Sequence, residues 1–330
     1  MKISIIVAIY NRKDELFELL NSLSHQTNKN FEVIIVDDGS QIDLQPTVDL
    51  FPEMLTIQYF KKENTGPGLS RNYGARRAKG EWLVFLDSDV IVEKDYIEAL
   101  FKNIEETPAD AFGGADKAHK GFNLLQKAIS YSMTSIFTTG GIRGKKKAVT
   151  KFQPRSFNMG VKKEVFLEVG GFSEMRIGED PDLSMKLWEN GYTTAFYDGI
   201  GVYHKRRTDI GKFSKQVYQF GVARPILNQR HPDYTKITFW FPSVFLVGYI
   251  IGLVHYFFEG NPFVLGCYGL YTFVVFVHAT WVNKNISIGG LSVLATYVQM
   301  FSYGYGYLES WLKLNIFKQE PRDAFPKHFY

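Results

Sequence analysis

The chain has 330 residues, 45% of them hydrophobic, which is enough for one substantial domain and an appendage. A formal net charge of +4 is too small to argue for nucleic acid as a partner, and a single cysteine, Cys267, excludes both a disulfide framework and a cysteine-built zinc site. Charged residues are dense up to about Arg230, whereas Phe239 to Leu312 holds only Glu259, Lys284 and Glu309, a composition suited to lipid rather than water.

The run Lys2 to Ile9 is short, β-branched and without a small-residue cleavage site, so it reads as a buried strand and not as a signal peptide. Asp14 to Leu23 follows with Leu16, Leu19, Leu20 and Leu23 on one helical face. The pattern repeats. Phe31 to Val36 is a strand ended by Asp37-Asp38-Gly39-Ser40, and a weaker helical stretch runs to about Phe51. Ile57 to Phe60 is a third strand, and Gly66-Pro67-Gly68 opens a helix from Leu69 to Ala78. Trp82 to Leu86 is an apolar strand ended by Asp87-Ser88-Asp89. Strands and helices alternating at this spacing predict an α/β fold with a mostly parallel sheet covered by helices on both faces. Ligands of such sheets bind beyond the carboxyl ends of the strands, where Asn11, Asp37, Asp38, Asp87 and Asp89 fall.

Further on, Ala111 to Ala118 is expected as a strand, Phe122 to Thr138 as a helix, and Gly140 to Lys151 as a Gly/Lys-rich loop. Phe157 to Gly171 reads as a strand and short helix, and Thr193 to His204 as a strand. Between them Pro181 to Asn190 is a helix with Asp180 at the N-cap and Pro181 at the first helical position. Two apolar stretches, Phe239 to Phe258 and Pro262 to Val282, are each about 20 residues, the length that crosses a bilayer core of roughly 30 Å. A third, Ile286 to Leu312, carries Gln299 and Glu309 and either spans or lies in the interface. Basic residues Lys313, Lys318, Arg322 and Lys327 favour a cytoplasmic side for residues 313–330. The expected domains are therefore 1–230, a membrane region over 239–312, and a basic tail.

Asp87-Ser88-Asp89 sets two carboxylates one residue apart at a strand end. Such a pair can hold Mg²⁺ or Mn²⁺ and leave positions for diphosphate oxygens, although Asp-x-Asp alone also occurs as a plain polar turn.

Taken with the strand-end residues before it, this triplet makes the chain resemble glycosyltransferase family 2 of the GT-A fold, a family of inverting nucleotide-sugar transferases. The likeness is carried by Val7-Ala8-Ile9-Tyr10-Asn11, Val36-Asp37-Asp38-Gly39-Ser40, Asn64-Thr65-Gly66 through Ser70-Arg71-Asn72, Gly80-Glu81-Trp82, Leu86-Asp87-Ser88-Asp89, Gly170-Gly171-Phe172 and Gly178-Glu179-Asp180-Pro181-Asp182-Leu183. The resemblance implies that Asp38 accepts a hydrogen bond from the donor nucleobase, with Ile9, Asn11 and Asp37 shaping the same pocket. It implies that Arg71 meets base or phosphate and that Asp87, Ser88 and Asp89 face the donor, Asp89 as direct metal ligand and Asp87 nearer the ribose or sugar. It makes Asp180 the catalytic base and Glu179 the second candidate, and it sets His204 at a metal or diphosphate contact. Arg206, Arg207 and Arg224 belong to a basic stretch, 205–230, with two open readings: contact with the departing diphosphate, or attraction to anionic lipid. Gln216-Val217-Tyr218-Gln219-Phe220 lacks the Arg-Trp of processive relatives, so transfer of one sugar at a time is expected over polymerisation. A nucleotidyltransferase would want a glycine-rich loop after the first strand, where Tyr10-Asn11-Arg12-Lys13-Asp14 has no glycine; a non-catalytic membrane protein would have no need of the intact acidic set. The implied donor is a nucleotide sugar, with uridine the favoured base. The implied acceptor is a lipid-linked or membrane-presented glycan reached from the cytoplasmic face.

Overall fold

The β-branched run near the start forms β1 (Ile3–Ile9), in which Ile3, Ile5, Ile6 and Val7 expose no surface. Each such side chain stabilises the fold by roughly 1.5–3 kcal/mol on burial, and a strand sealed on both faces is what a helix-flanked parallel sheet requires. The computed structural model describes residues 2–118, 123–139, 151–204 and 209–330. After β1 come α1 (Lys13–Ser24), β2 (Phe31–Asp37), α2 (Gln45–Val48), β3 (Ile57–Lys61), α3 (Pro67–Arg77), β4 (Trp82–Asp87), β5 (Val90–Val92) and α4 (Tyr96–Glu106). Then follow β6 (Ala111–Gly113), β7 (Asp116–Ala118), α5 (Leu124–Thr134), α6 (Ile136–Thr139), β8 (Asn158–Lys162), α7 (Lys163–Glu168), α8 (Glu179–Glu189), β9 (Thr194–Phe196) and β10 (Val202–His204). Long helices close the order: α9 (Ile210–Arg230), α10 (Phe241–Glu259), α11 (Phe263–Asn283) and α12 (Ile286–Trp311).

Seven strands form one sheet in the order β3-β2-β1-β4-β8-β6-β9. Strands β1 to β4 run parallel, while β8 is antiparallel to both β4 and β6. A second sheet has the order β5-β10-β7. The α/β expectation of a mostly parallel sheet holds. Two expected strands do not hold as single elements. Ala111 to Ala118 divides into β6 and β7, and Thr193 to His204 into β9 and β10, each half joining a different sheet. Gly113-Gly114 and Gly199 to Gly201 lie at the breaks, where the chain passes from one sheet to the other. One face of the larger sheet packs on α1 through Leu16, Leu19, Leu20 and Leu23; the other meets Ala75, Phe166, Phe172, Leu183 and Leu187.

By internal contacts the described residues group into a sheet unit, 2–118, 151–204 and 327–330, and a helical unit, 123–139 and 209–326. The sequence drew its boundary at residue 230, whereas α9 groups with the helices. Phe213, Val217, Val222 and Ile226 of α9 are buried, and the helix crosses α12 at close range. A Cβ on Gly221 would stand 2.3 Å from the Tyr303 carbonyl oxygen, and one on Gly306 would stand 2.4 Å from that of Tyr218. Small residues at such crossings let two backbones touch, as in helix pairs packed within lipid. Ser310 Oγ donates to the Val222 carbonyl at 2.9 Å and Tyr218 Oη to Glu309 at 2.8 Å, so Glu309 is spent on helix packing. Ile237–Glu259 and Phe263–Asn283 are long and apolar enough to cross a membrane and are little buried, with Phe257, Phe258, Phe263, Phe273 and Trp281 exposed.

Candidate active site

The carboxyl ends of β1 and β2 are locked together by their loops. Asn11, in the left-handed region at φ 54°, donates its N–H to Ser40 Oγ at 2.9 Å, while its Oδ1 accepts from the Gln41 N–H at 2.8 Å. The Ile9 carbonyl accepts from the Asp38 N–H at 2.8 Å. Asp37 is fully buried and accepts from the Ser40 N–H and from Tyr59 Oη, both at 2.7 Å. Burial and this carboxylate together hold the Tyr59 phenol well above its ordinary range. Asp38, also buried, is engaged on both oxygens. Its Oδ1 accepts from Lys62 Nζ, the Thr65 N–H and Ser70 Oγ at 2.6, 2.9 and 2.8 Å; its Oδ2 accepts from the Gly66 N–H at 2.8 Å. A carboxylate oxygen offers about two acceptor positions, so Oδ2, with one donor, is the less engaged of the two.

Arg71, on α3 and only 4% exposed, joins the end of β4 to the start of α8. Its Nη2 donates to Asp87 Oδ1 at 2.7 Å and its Nη1 to Glu179 Oε1 at 3.3 Å. Burial disfavours the cation, but these two carboxylates outweigh it and hold Arg71 charged. Its Nε is buried with no hydrogen-bond partner among the described residues. A buried donor left unpaired costs about 1–3 kcal/mol, a cost the ion pairs of Nη1 and Nη2 offset. Asn72 and Phe172 exchange hydrogen bonds at 2.7 and 2.9 Å, which fixes α3 against the loop leading to α8. Ser88 is buried in the turn between Asp87 and Asp89. Asp89 is held by Arg12 Nη1 at 2.5 Å.

Three basic partners were not singled out in the sequence: Lys62, Arg12 and Arg155. Their only sequence signal was a position next to a strand end, and Arg12 meets Asp89 across 77 residues. His204 ends β10, where its backbone pairs with Val90, the residue after Asp89. Arg206 and Arg207 lie outside the described residues. Arg224 belongs to the helical unit, with its guanidinium carbon 4.2 Å from the centre of the Phe239 ring.

The start of α8 corrects the expectation for Asp180. The helix begins at Glu179, with Gly178 as N-cap at φ 93° and its carbonyl accepting from the Asp182 N–H at 3.0 Å. A left-handed cap favours glycine, and it moves the start two residues upstream of the Asp-Pro signal. Asp180 is therefore not the cap, and its Oδ2 faces Arg155 Nη1 at 3.5 Å. Glu179 turns the other way, toward Arg71 and Asp87. Burial first, then the neighbouring charge of Asp180, push the Glu179 carboxyl up to about 7, against the pull of Arg71. A carboxyl whose pKa rises on folding favours the folded state below its ordinary value of 4.5, and that contribution is lost as pH climbs through about 7. We expect Glu179→Gln to flatten the fall in Tm between those two pH values, where the wild type loses on the order of 2–3 kcal/mol. Parallel Tm profiles for the two proteins would refute this.

Among the described residues no three His, Cys, Asp or Glu side chains form a group able to hold a metal ion. Asp87 and Asp89 are instead two hard oxygen donors, which fits a cation taking its remaining oxygens from a bound diphosphate. In this state Arg71 and Arg12 neutralise them. Pocket size does not mark the site: a cavity of about 630 Å³ lies at the β2–β3 edge, lined by Phe31, Gln45, Met54, Thr56 and Tyr59.

Comparison with known proteins bears on the family and the fold. Residues 4–168, half of the chain, match the family model for glycosyl transferase family 2. An uncharacterized glycosyltransferase of Haemophilus influenzae is 35% identical over 202 residues, 59% of this chain and 64% of that one. Curated relatives matched over shorter stretches are much longer, the chain covering 17% of some of them. Among solved structures, the Pyrobaculum calidifontis mannosyltransferase PcManGT in complex with GDP-Man and Mn²⁺ superposes with a TM-score of 0.57 at 17% identity, covering 97% of this chain and 88% of that one. S. aureus TarS 1–349 in complex with UDP gives 0.51 at 20% identity, covering 94% and 91%. At such identities the structures speak for the shared GT-A fold alone. The family match is what assigns the chain, and it belongs to glycosyl transferase family 2.

Proposed function

We propose that this chain transfers a single sugar, a hexose or N-acetylhexosamine, from a nucleoside-diphosphate donor to an acceptor hydroxyl with inversion. The observation that carries the proposal is the placing of Asp38, Asp87 and Asp89 at the carboxyl ends of β2 and β4, which flank β1, with Arg71 paired to Asp87 and its buried Nε without an acceptor among the described residues. On this reading Asp38 Oδ2 accepts from the nucleobase, within a pocket shaped by Asn11 and Asp37. Arg71 donates to the base or the phosphates. Asp180 takes the acceptor's proton as the acceptor oxygen bonds to the anomeric carbon. The bond from that carbon to the diphosphate breaks on the opposite face, and its electron pair leaves with the phosphate. Glu179 holds Arg71 in place beside the donor. A Mg²⁺ or Mn²⁺ ion at Asp87 and Asp89, with His204 nearby, would neutralise the charge that builds on the leaving diphosphate. Uridine is the favoured base on the family resemblance; neighbours of the same fold are bound to UDP in one case and to GDP-Man in another, so fold analogy does not choose between them.

The acceptor is a lipid-linked or membrane-presented glycan, with the catalytic residues on the cytoplasmic face. The two long apolar helices support the membrane part of this reading, and the basic residues of 313–330 motivate the choice of face. Detergent-purified protein screened against UDP- and GDP-sugars, with Mn²⁺ and with chelator, is expected to hydrolyse a UDP-sugar slowly and only with the cation. Failure to bind or cleave any nucleotide sugar would sink the proposal.

A further inference from the structure

The sheet unit takes in a short segment from beyond the long helices, residues 327–330. It pairs with the loop before α8: the His328 carbonyl accepts from the Arg176 N–H at 2.8 Å, the Tyr330 N–H donates to the Glu174 carbonyl at 3.1 Å, and Met175 and Phe329 form an antiparallel bridge. The His328 and Phe329 side chains are buried. Backbone pairing and two buried side chains hold this strip as part of the unit, in contrast to a fraying end.

The strip delivers an aromatic ring to one corner of the site. A Cβ on Gly66 would fall 1.7 Å from Tyr330 Cζ, so the ring lies directly against that glycine. Gly66 is the residue whose N–H donates to Asp38 Oδ2, the oxygen with acceptor capacity to spare. The guanidinium carbon of Arg176 lies 5.5 Å from the ring centre. Burial, then Glu179 and Asp38 working against Arg176 and Arg71, push the phenol up to about 12, so it stays neutral beside these charges. A flat, neutral ring beside an acceptor that reads a base edge offers stacking area at small entropic cost and keeps water off the hydrogen bond.

We propose that Tyr330 is a donor-binding residue that forms a wall of the nucleobase end of the site, with residues 327–330 acting as the strap that holds it there. This rests on the nucleoside-diphosphate reading above. The test is calorimetric titration of the full chain in detergent with UDP and with GDP, each in Mn²⁺, followed by donor kinetics. Tyr330→Ala is expected to weaken the tighter nucleotide about tenfold and to raise the donor KM in step, with kcat kept within about twofold; Tyr330→Phe, which keeps the ring, stays within about twofold of wild type. Equal or tighter binding by Tyr330→Ala would overturn the wall, the second result marking the ring as a plug. A fall in kcat at unchanged KM would overturn it too, because the ring would then serve folding or chemistry and not the base. If the wild type binds neither nucleotide, the donor reading fails and the strap with it. If the wild type binds and Tyr330→Ala binds equally well, the strap alone fails.

Discussion

Asp180→Asn is expected to lower kcat about a thousandfold while leaving the affinity for UDP within about threefold, because a positioned general base contributes 10²–10⁴ to rate and nothing to donor binding. The two acidic residues at the start of α8 face different partners, and this is what makes the experiment decisive. Asp180 meets Arg155 at 3.5 Å, whereas Glu179 meets Arg71 at 3.3 Å and shares that arginine with Asp87. Removing Glu179's charge by Glu179→Gln loosens Arg71, so its cost is expected mainly in donor affinity and to be about tenfold. If instead Glu179→Gln abolished kcat and Asp180→Asn retained it, the roles would be exchanged; the Glu179 carboxyl, pushed up to about 7, is poised as a proton acceptor near neutral pH. The pH–rate profile of each variant in single-turnover donor transfer separates the two outcomes.

Asp89→Ala is expected to reduce kcat/KM by a hundredfold or more and to remove the dependence on Mn²⁺, since a cation on the leaving diphosphate contributes several kcal/mol. The structure adds a refinement that the acidic triplet alone did not suggest. Arg12 holds Asp89 at 2.5 Å, with the two side chains 37% and 15% exposed, so any cation on Asp89 must compete with it. A partly exposed ion pair of this kind stabilises by about 1 kcal/mol, which converts to roughly fivefold in affinity. Arg12→Gln is therefore expected to lower the Mn²⁺ concentration for half-maximal activity about fivefold. Activity of Asp89→Ala equal to wild type in chelator would remove the cation site from the mechanism.

Much of the architecture was legible from residues near one another in the chain. The β-branched runs of β1 and β2, the leucine face of α1 and the acidic residues just after β2 and β4 follow from side-chain period and strand-end position, which a local pattern encodes. The same holds for the two apolar stretches that became α10 and α11. Fine boundaries were less secure: the Asp-Pro signal suggested a cap at Asp180, but the left-handed Gly178 took that place.

What the sequence determined by itself was the order of strands and helices as far as β4 and the positions where carboxylates would gather, because alternation and helical spacing are written within a dozen residues. Only the tertiary structure decided how those carboxylates are neutralised, which halves of the later strands join which sheet, and that α9 spends its apolar face on α12. Each of these depends on contacts between residues far apart in the chain, such as Arg12 with Asp89, Arg71 with Glu179 and Tyr330 against Gly66. Charge and ring contacts of that kind carry no period, so a linear pattern holds no trace of them until the backbone has brought the partners together.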